Sequence, residues 1–169
     1  YCLESNSISN KLSDDMRITR CYYGLASVSA RSSETDDVRK IIQKGLLQIE
    51  KSNLSDWQKI QRRFELISCL ALTGDYEYGW PFMSKVFVDT RDAFSDWVPS
   101  KVEIYAYQII WAVRVGDISS ASAAIKSIRF DQIPSSLRKS DLMLAVARFK
   151  IKSGATDESQ NLVMSALDA

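Results

Sequence analysis

Residues 112–128 read AVRVGDISSASAAIKSI, and this stretch decides the fold class. An apolar helical run closes on Gly116, Asp117 comes at once, and a new small-residue helix begins with almost no loop. Glycine accepts the left-handed backbone that commonly closes a helix, and Asp is among the residues that best cap the next one. A chain that turns this tightly builds an antiparallel helix hairpin. The same pattern recurs in ALTGDYEYGWPFMSKVF and, keeping the glycine, in KIKSGATDESQNLVMSAL, so that Gly74, Gly116 and Gly154 fall 42 and 38 residues apart. Repeats of this length mark stacked helical hairpins, each burying the apolar face its neighbour cannot cover alone.

Around these breaks, apolar residues recur in steps of three and four, and strand-like alternation is hard to find. The chain therefore reads as all-α, with about seven to eight helices. A first helix is predicted over Ser13–Ser32, led by Asp14 and Asp15 and carrying Met16, Tyr23, Ala26 and Ala30. SSETDD (32–37) supplies caps for a second helix with Val38, Ile41, Ile42, Leu46 and Ile49 on its stripe. Ser55 and Gln58 form a capping-box signal for a third helix running to Gly74, and Asp75 can cap the helix after it. Pro81 lacks an N–H and suits a first helical turn, so the fourth helix is predicted to start near Gly79. Ser100 with Glu103 repeats the capping box, and Asp117 or Ser119 opens the sixth helix. Ser136 begins the last round, which passes Leu142, Val146, Phe149 and Gly154 to a helix through Leu162, Val163, Ala166 and Leu167. The 169 residues suit one domain, divided here into 1–54, 55–98, 99–134 and 135–169. Starting with Tyr1 in place of Met, the chain reads as a piece of a longer protein.

With its glycine-aspartate turns and small-residue second helices, the stretch from Thr35 to Ala169 resembles the tetratricopeptide repeats, in which an alanine of the second helix permits close packing. Ala123 and Ala124 lie near that place. The spacing exceeds the family's usual ~34 residues, and loops such as DTRDAFSDWVP (89–99) are expected to absorb the surplus. The resemblance implies a right-handed α-solenoid of stacked antiparallel hairpins whose first helices line a groove for a partner segment. It also implies settings such as bacterial signalling proteins and response regulators. The lysine–asparagine clamp that some members use on a carboxylate lacks its asparagine here, since none lies between Asn53 and Asn161.

Composition narrows function further. Twenty-two Lys and Arg against 21 Asp and Glu give a net charge of +1, which removes the simple electrostatic case for nucleic acid or an anionic membrane. No apolar stretch reaches the roughly 18 residues that span a bilayer. With no histidine in the chain, Ser-His-Asp and Cys-His nucleophile pairs and histidine metal sites are excluded within these residues. Three widely spaced cysteines, Cys2, Cys21 and Cys69, fit neither a disulfide framework nor a zinc site, which points to a reducing, cytoplasmic setting. No cofactor or metal motif is present.

The reading is a non-catalytic protein-interaction module that binds another protein, or other domains of its own polypeptide, without nucleic acid or membrane. The alternative is a small-ligand sensor or enzyme with a pocket between helices. Candidate groove residues are the cations and polar groups of the first helices: Arg62, Arg63, Lys101, Gln108, Arg138 and Lys139, suited to an acidic segment. Trp80 and Trp97 are the candidate aromatic anchors. Exposed terminal helices add a possible route to a homodimer.

Overall fold

Three helices of this protein end in one and the same way, and the rest of the architecture depends on those ends. Gly74, Gly116 and Gly154 all adopt positive φ, at 74°, 80° and 86°. The N–H of each glycine donates to the carbonyl three residues back (Ala71, Val113, Ile151), and the N–H of the next residue donates to the carbonyl five back (Leu70, Ala112, Lys150). This pair of bonds is the Schellman closure, available at low cost only where a residue tolerates the left-handed region. The residue after each glycine then starts the next helix: the carbonyls of Asp75, Asp117 and Ala155 accept from Gly79, Ala121 and Ser159. The recurrence seen in the sequence is thus a recurrence of hydrogen-bonded turns.

The computed structural model describes residues 3–32, 35–93, 102–128, 137–155, 158, 159, 161 and 163, the side chains of 3–13, 137 and 138 excepted. Among them there are helices and no strand: α1 Leu3–Arg31, α2 Thr35–Lys51, α3 Asp56–Ser68, α4 Leu70–Thr73, α5 Tyr76–Ala93, α6 Val102–Val115, α7 Ile118–Ser127 and α8 Leu137–Lys152. The all-α expectation holds. Contacts gather in two compact units, Tyr1–Ala93 and Phe94–Ala169.

Several helix ends differ from the sequence-based expectation. α1 begins ten residues before Ser13, because nothing in LESNSISNKL stops a helix, so Asp14 and Asp15 are not in its first turn. The Asp15 carboxylate is buried and accepts from the Asn53 backbone N–H at 2.8 Å and side chain at 3.0 Å. The helix predicted from Ser55 to Gly74 tightens at Cys69, whose N–H reaches the Leu66 carbonyl, dividing it into α3 and the single-turn α4. α5 starts at Tyr76, with Pro81 inside it and not in its first turn. The missing N–H of Pro81 leaves the carbonyl of Glu77 without its helical partner, and Glu77 is exposed, so water can serve it. Residues 89–93, expected in a loop, complete α5. The Ser55–Gln58 capping box is present in both directions, and Asp117 caps α7 by accepting from the Ser120 N–H at 3.0 Å. Of the other expected caps, Asp75 has its carboxylate held by Arg39, while Ser100 and Ser136, with most of the final helix, lie outside the described residues.

In the first unit, α1 lies along α2, α3 and α4, while α3 packs on α5. Buried Val38, Ile42, Gly45 and Ile49 form the inner stripe of α2. Gly45 marks a close approach: a Cβ there would meet Leu66 Cδ2 at 2.6 Å and Tyr22 Cβ at 3.0 Å. Polar ties then fix the helices against one another. Arg39 holds Asp75 with two bonds of 2.7 and 2.9 Å and lies over the Tyr78 ring, while Gln43 donates to the Tyr78 hydroxyl. At the far end of α2, Glu50 meets Arg63 of α3, which also donates to Asp89 of α5. Since 39 and 43 sit beside 75–78 and 50 approaches 89 through Arg63, α2 and α5 run in the same direction.

The core cluster of the second unit is apolar. Val102, Ala106 and Ile109 of α6, Ala124 of α7, Ile128 after it, and Leu142, Ala145 and Val146 of α8 form one buried cluster. Ala121 and Ala124, one turn apart, are the close-packing residues of α7. Of the two alanines the sequence pointed to, Ala123 is exposed.

Candidate functional site

α6 and α8 form the most extensive helix pair of the second unit, with α7 between them in sequence. Their facing edges leave two hollows of about 380 Å³ each. The first is lined by Glu103, Ala106, Tyr107 and Ile110 from α6 with Asp141, Leu144 and Arg148 from α8. The second is lined by Ile110, Val113 and Arg114 with Arg148, Ile151 and Lys152. Ile110 and Arg148 border both, so the two make one groove.

Early residues of α6 face early residues of α8, and late face late, so the two helices run in the same direction. Glu103 and Asp141, Ala106 and Leu144, Ile110 and Arg148, Val113 and Ile151, and Arg114 and Lys152 are all related by the 38 residues that also separate Gly116 from Gly154. The sequence repeat thus sets equivalent positions of α6 and α8 side by side along the groove. Its floor is made of Ala106, Ile110 and Val113 with Leu144 and Ile151, the last two 37% and 55% exposed.

Charge varies along the groove's length. Glu103 and Asp141 stand at one end, Arg114 and Lys152 at the other, with Arg148 between them bordering both hollows, and all five residues are exposed. Glu103 in the first turn of α6, and Arg114 and Lys152 in the last turns of α6 and α8, complement the helix dipoles, which favours these three charges within the protein. For anything lying in the groove the arrangement creates a direction.

Most of the residues singled out from the sequence lie elsewhere. Arg62 is buried in α3, ion-paired with Glu65, its Nε without a hydrogen-bond partner among the described residues. Arg63 Nε stands 2.9 Å from Glu50 Oε1, off the direction of a hydrogen bond, so that contact is an ion pair; Nη1 donates to Asp89 at 2.7 Å. Trp80 is half-buried, with its ring centroid 6.2 Å from that of Phe87 in a tilted arrangement. Gln108 and Lys139 are half-buried on α6 and α8, and neither lines the hollows. Lys101, Trp97 and the side chain of Arg138 are outside the described residues. The signal that locates the groove was present in the chain: EIYAYQIIWAVR (103–114) laid on DLMLAVARFKIK (141–152) matches acid to acid, Trp111 to Phe149, Val113 to Ile151 and Arg114 to Lys152.

Among the described residues no three His, Cys, Asp or Glu side chains gather as a metal site requires, and no helix is long and apolar enough to cross a membrane. Cys21 is exposed and Cys69 buried, both as free thiols. Loss of hydration on burial pushes the Cys69 thiol up to about 11. No family model, no curated protein and no solved structure matches the chain significantly.

Proposed function

We propose that this protein is a non-catalytic interaction module, built as a tetratricopeptide-like stack of hairpins, whose α6/α8 groove receives a segment of another protein or of its own polypeptide. The observation that carries this reading is the in-register groove: an apolar floor continuous over two helices, with opposite charges at its two ends. Apolar contact supplies affinity, and the charged ends set which way a bound segment lies. The segment that fits has apolar side chains on one face, cationic groups toward Glu103 and Asp141, and acidic groups toward Arg114 and Lys152. A small-ligand sensor would call for an enclosed hollow. Here the charged rim and much of the floor are exposed, which supports a segment over a small molecule. A cytoplasmic, signalling setting is part of the same proposal and rests on the free cysteines and the repeat resemblance.

The test is comparative capture. Proteins retained by the native chain and lost with both Ile110→Asp and the Arg114→Glu/Arg148→Glu pair, but kept by Leu47→Asp on the first unit, are groove ligands. Ile110 is half-buried and Leu47 is 61% exposed, so circular dichroism must show each variant folded. If every retained protein responds equally to the Leu47 and groove variants, the groove is not the binding surface.

A further inference from the structure

α1 has two apolar faces. The inner one, with buried Thr19, Ala26 and Ala30 and half-buried Tyr22, faces the rest of the first unit. The second is exposed: Ile18, Leu25 and Val28 are 42%, 57% and 69% accessible, and Cys21 is exposed between them. Positions 18, 21, 25 and 28 step by three, four and three residues, the spacing of a coiled-coil seam, which is complementary to another helix and not to a flat sheet or a small molecule. A scattered exposed leucine needs no account, but four apolar residues on one seam do.

We infer that two copies of this chain associate through this seam, α1 against α1 in antiparallel order. The stripe is self-matching about Tyr23. A two-fold axis there lays Ile18 against the second copy's Val28 and Cys21 against its Leu25, so every apolar position meets another. Isologous contacts require this kind of self-complementarity. Gly24 lies beside the axis, exposed, with open space where a Cβ would stand, so no side chain holds the helices apart at the crossing. Charge agrees with the same order. Asp14, already paired with Arg17, sits at one end of the seam and Arg31 beside the other. The antiparallel arrangement carries each Asp14 to the second copy's Arg31 within one helical turn, giving one such set at each end. Arg20 lies off the seam. Parallel order would instead stack Asp14 on Asp14 and Cys21 on Cys21.

Light scattering of the whole chain from about 1 to about 300 µM tests this, since a seam of this length suits micromolar association. The mass should rise from 19.1 kDa toward twice that value. Leu25→Asp and Val28→Arg, both at exposed positions, should each move the midpoint up by at least about tenfold with helicity unchanged. Asp14→Arg should weaken association, and adding Arg31→Asp should restore it. Order is read by cross-linking: with Cys2→Ser to remove an unrelated thiol, Leu25→Cys brings the new thiol opposite Cys21, and diamide should then link the copies, which it should not do when Leu25 is kept. A mass fixed at 19.1 kDa throughout would overturn the inference, as would a dimer indifferent to residues 25 and 28. Efficient Cys21 linkage with Leu25 in place would overturn the antiparallel order.

Discussion

The two units of this protein use the same helix-closing turn and then hold their helices by different means. In the first, arginines are turned inward: Arg39 grips Asp75, and Arg63 joins Glu50 to Asp89, so three helices are tied through charge. In the second, aliphatic and alanine side chains make the interior, and the arginines and lysine of α6 and α8 stand along a groove. The two units thus differ in whether their charges lie between helices or along the surface. A guanidinium held between carboxylates of two other helices is already satisfied, and prising it loose for a partner would break both ion pairs. A cation at the exposed end of a helix, favoured by the dipole, remains at the surface where a second molecule can meet it.

The comparison can be broken from its apolar side first. Leu142 is fully buried in the second unit, and Leu142→Ala should cost about 3–4 kcal/mol through lost transfer energy and the cavity left behind. Hydrogen exchange should quicken across α6, α7 and α8. If the protection of α6 is unchanged, the shared apolar core is not what joins it to α8.

A smaller effect is expected on the polar side. Arg63→Leu removes the cation between Asp89 and Glu50, but Glu50 is more than half exposed and its share is screened, so the loss should be about 2 kcal/mol. Exchange should quicken in α3 and α5 and not in α6. Asp89→Asn in the Arg63→Leu background should recover part of the loss, because it removes the carboxylate left without its partner; the same effect of Asp89→Asn in both backgrounds would show that the two residues are not coupled.

The smallest effect sharpens the contrast between interior and surface. The Cys69 thiol is raised from 9.0 to about 11 by burial, so its neutral form is the one the fold favours. The stability this contributes is complete below about pH 9 and is lost as pH rises through about 11, where the folded state too must ionise. Denaturant titrations of the native chain and Cys69→Ala at pH 8 and pH 10.5 should show a steeper alkaline loss in the native chain. Iodoacetamide at pH 8 should label Cys21 well before Cys69; equal rates would mean that α3 and α4 open readily.

Much of the fold was readable because it depends on short-range chemistry. The turns at Gly74, Gly116 and Gly154, the Ser55 box and the Asp117 cap are each decided by a handful of consecutive residues, and each is found where the sequence put it. Pro81 was misplaced for the opposite reason. A proline one turn inside a helix is tolerated when the carbonyl it abandons can reach water, and the exposure of Glu77 is not a local property. Arg62 and Arg63 looked like surface cations because a pair of arginines carries no mark of which carboxylates will enclose it. Asp15 looked like a first-turn acid favoured by the helix dipole and instead holds Asn53, 38 residues away.

By itself, then, the sequence determined that this protein is helical, where three of its helices stop, and that its segments recur at 42 and 38 residues, because helix propensity, capping and the left-handed turn act over a few neighbouring residues. Only the tertiary structure decided which charges are consumed inside and which line a groove. That choice depends on the distance between residues dozens of positions apart, and on the water each side chain keeps or loses when the helices come together.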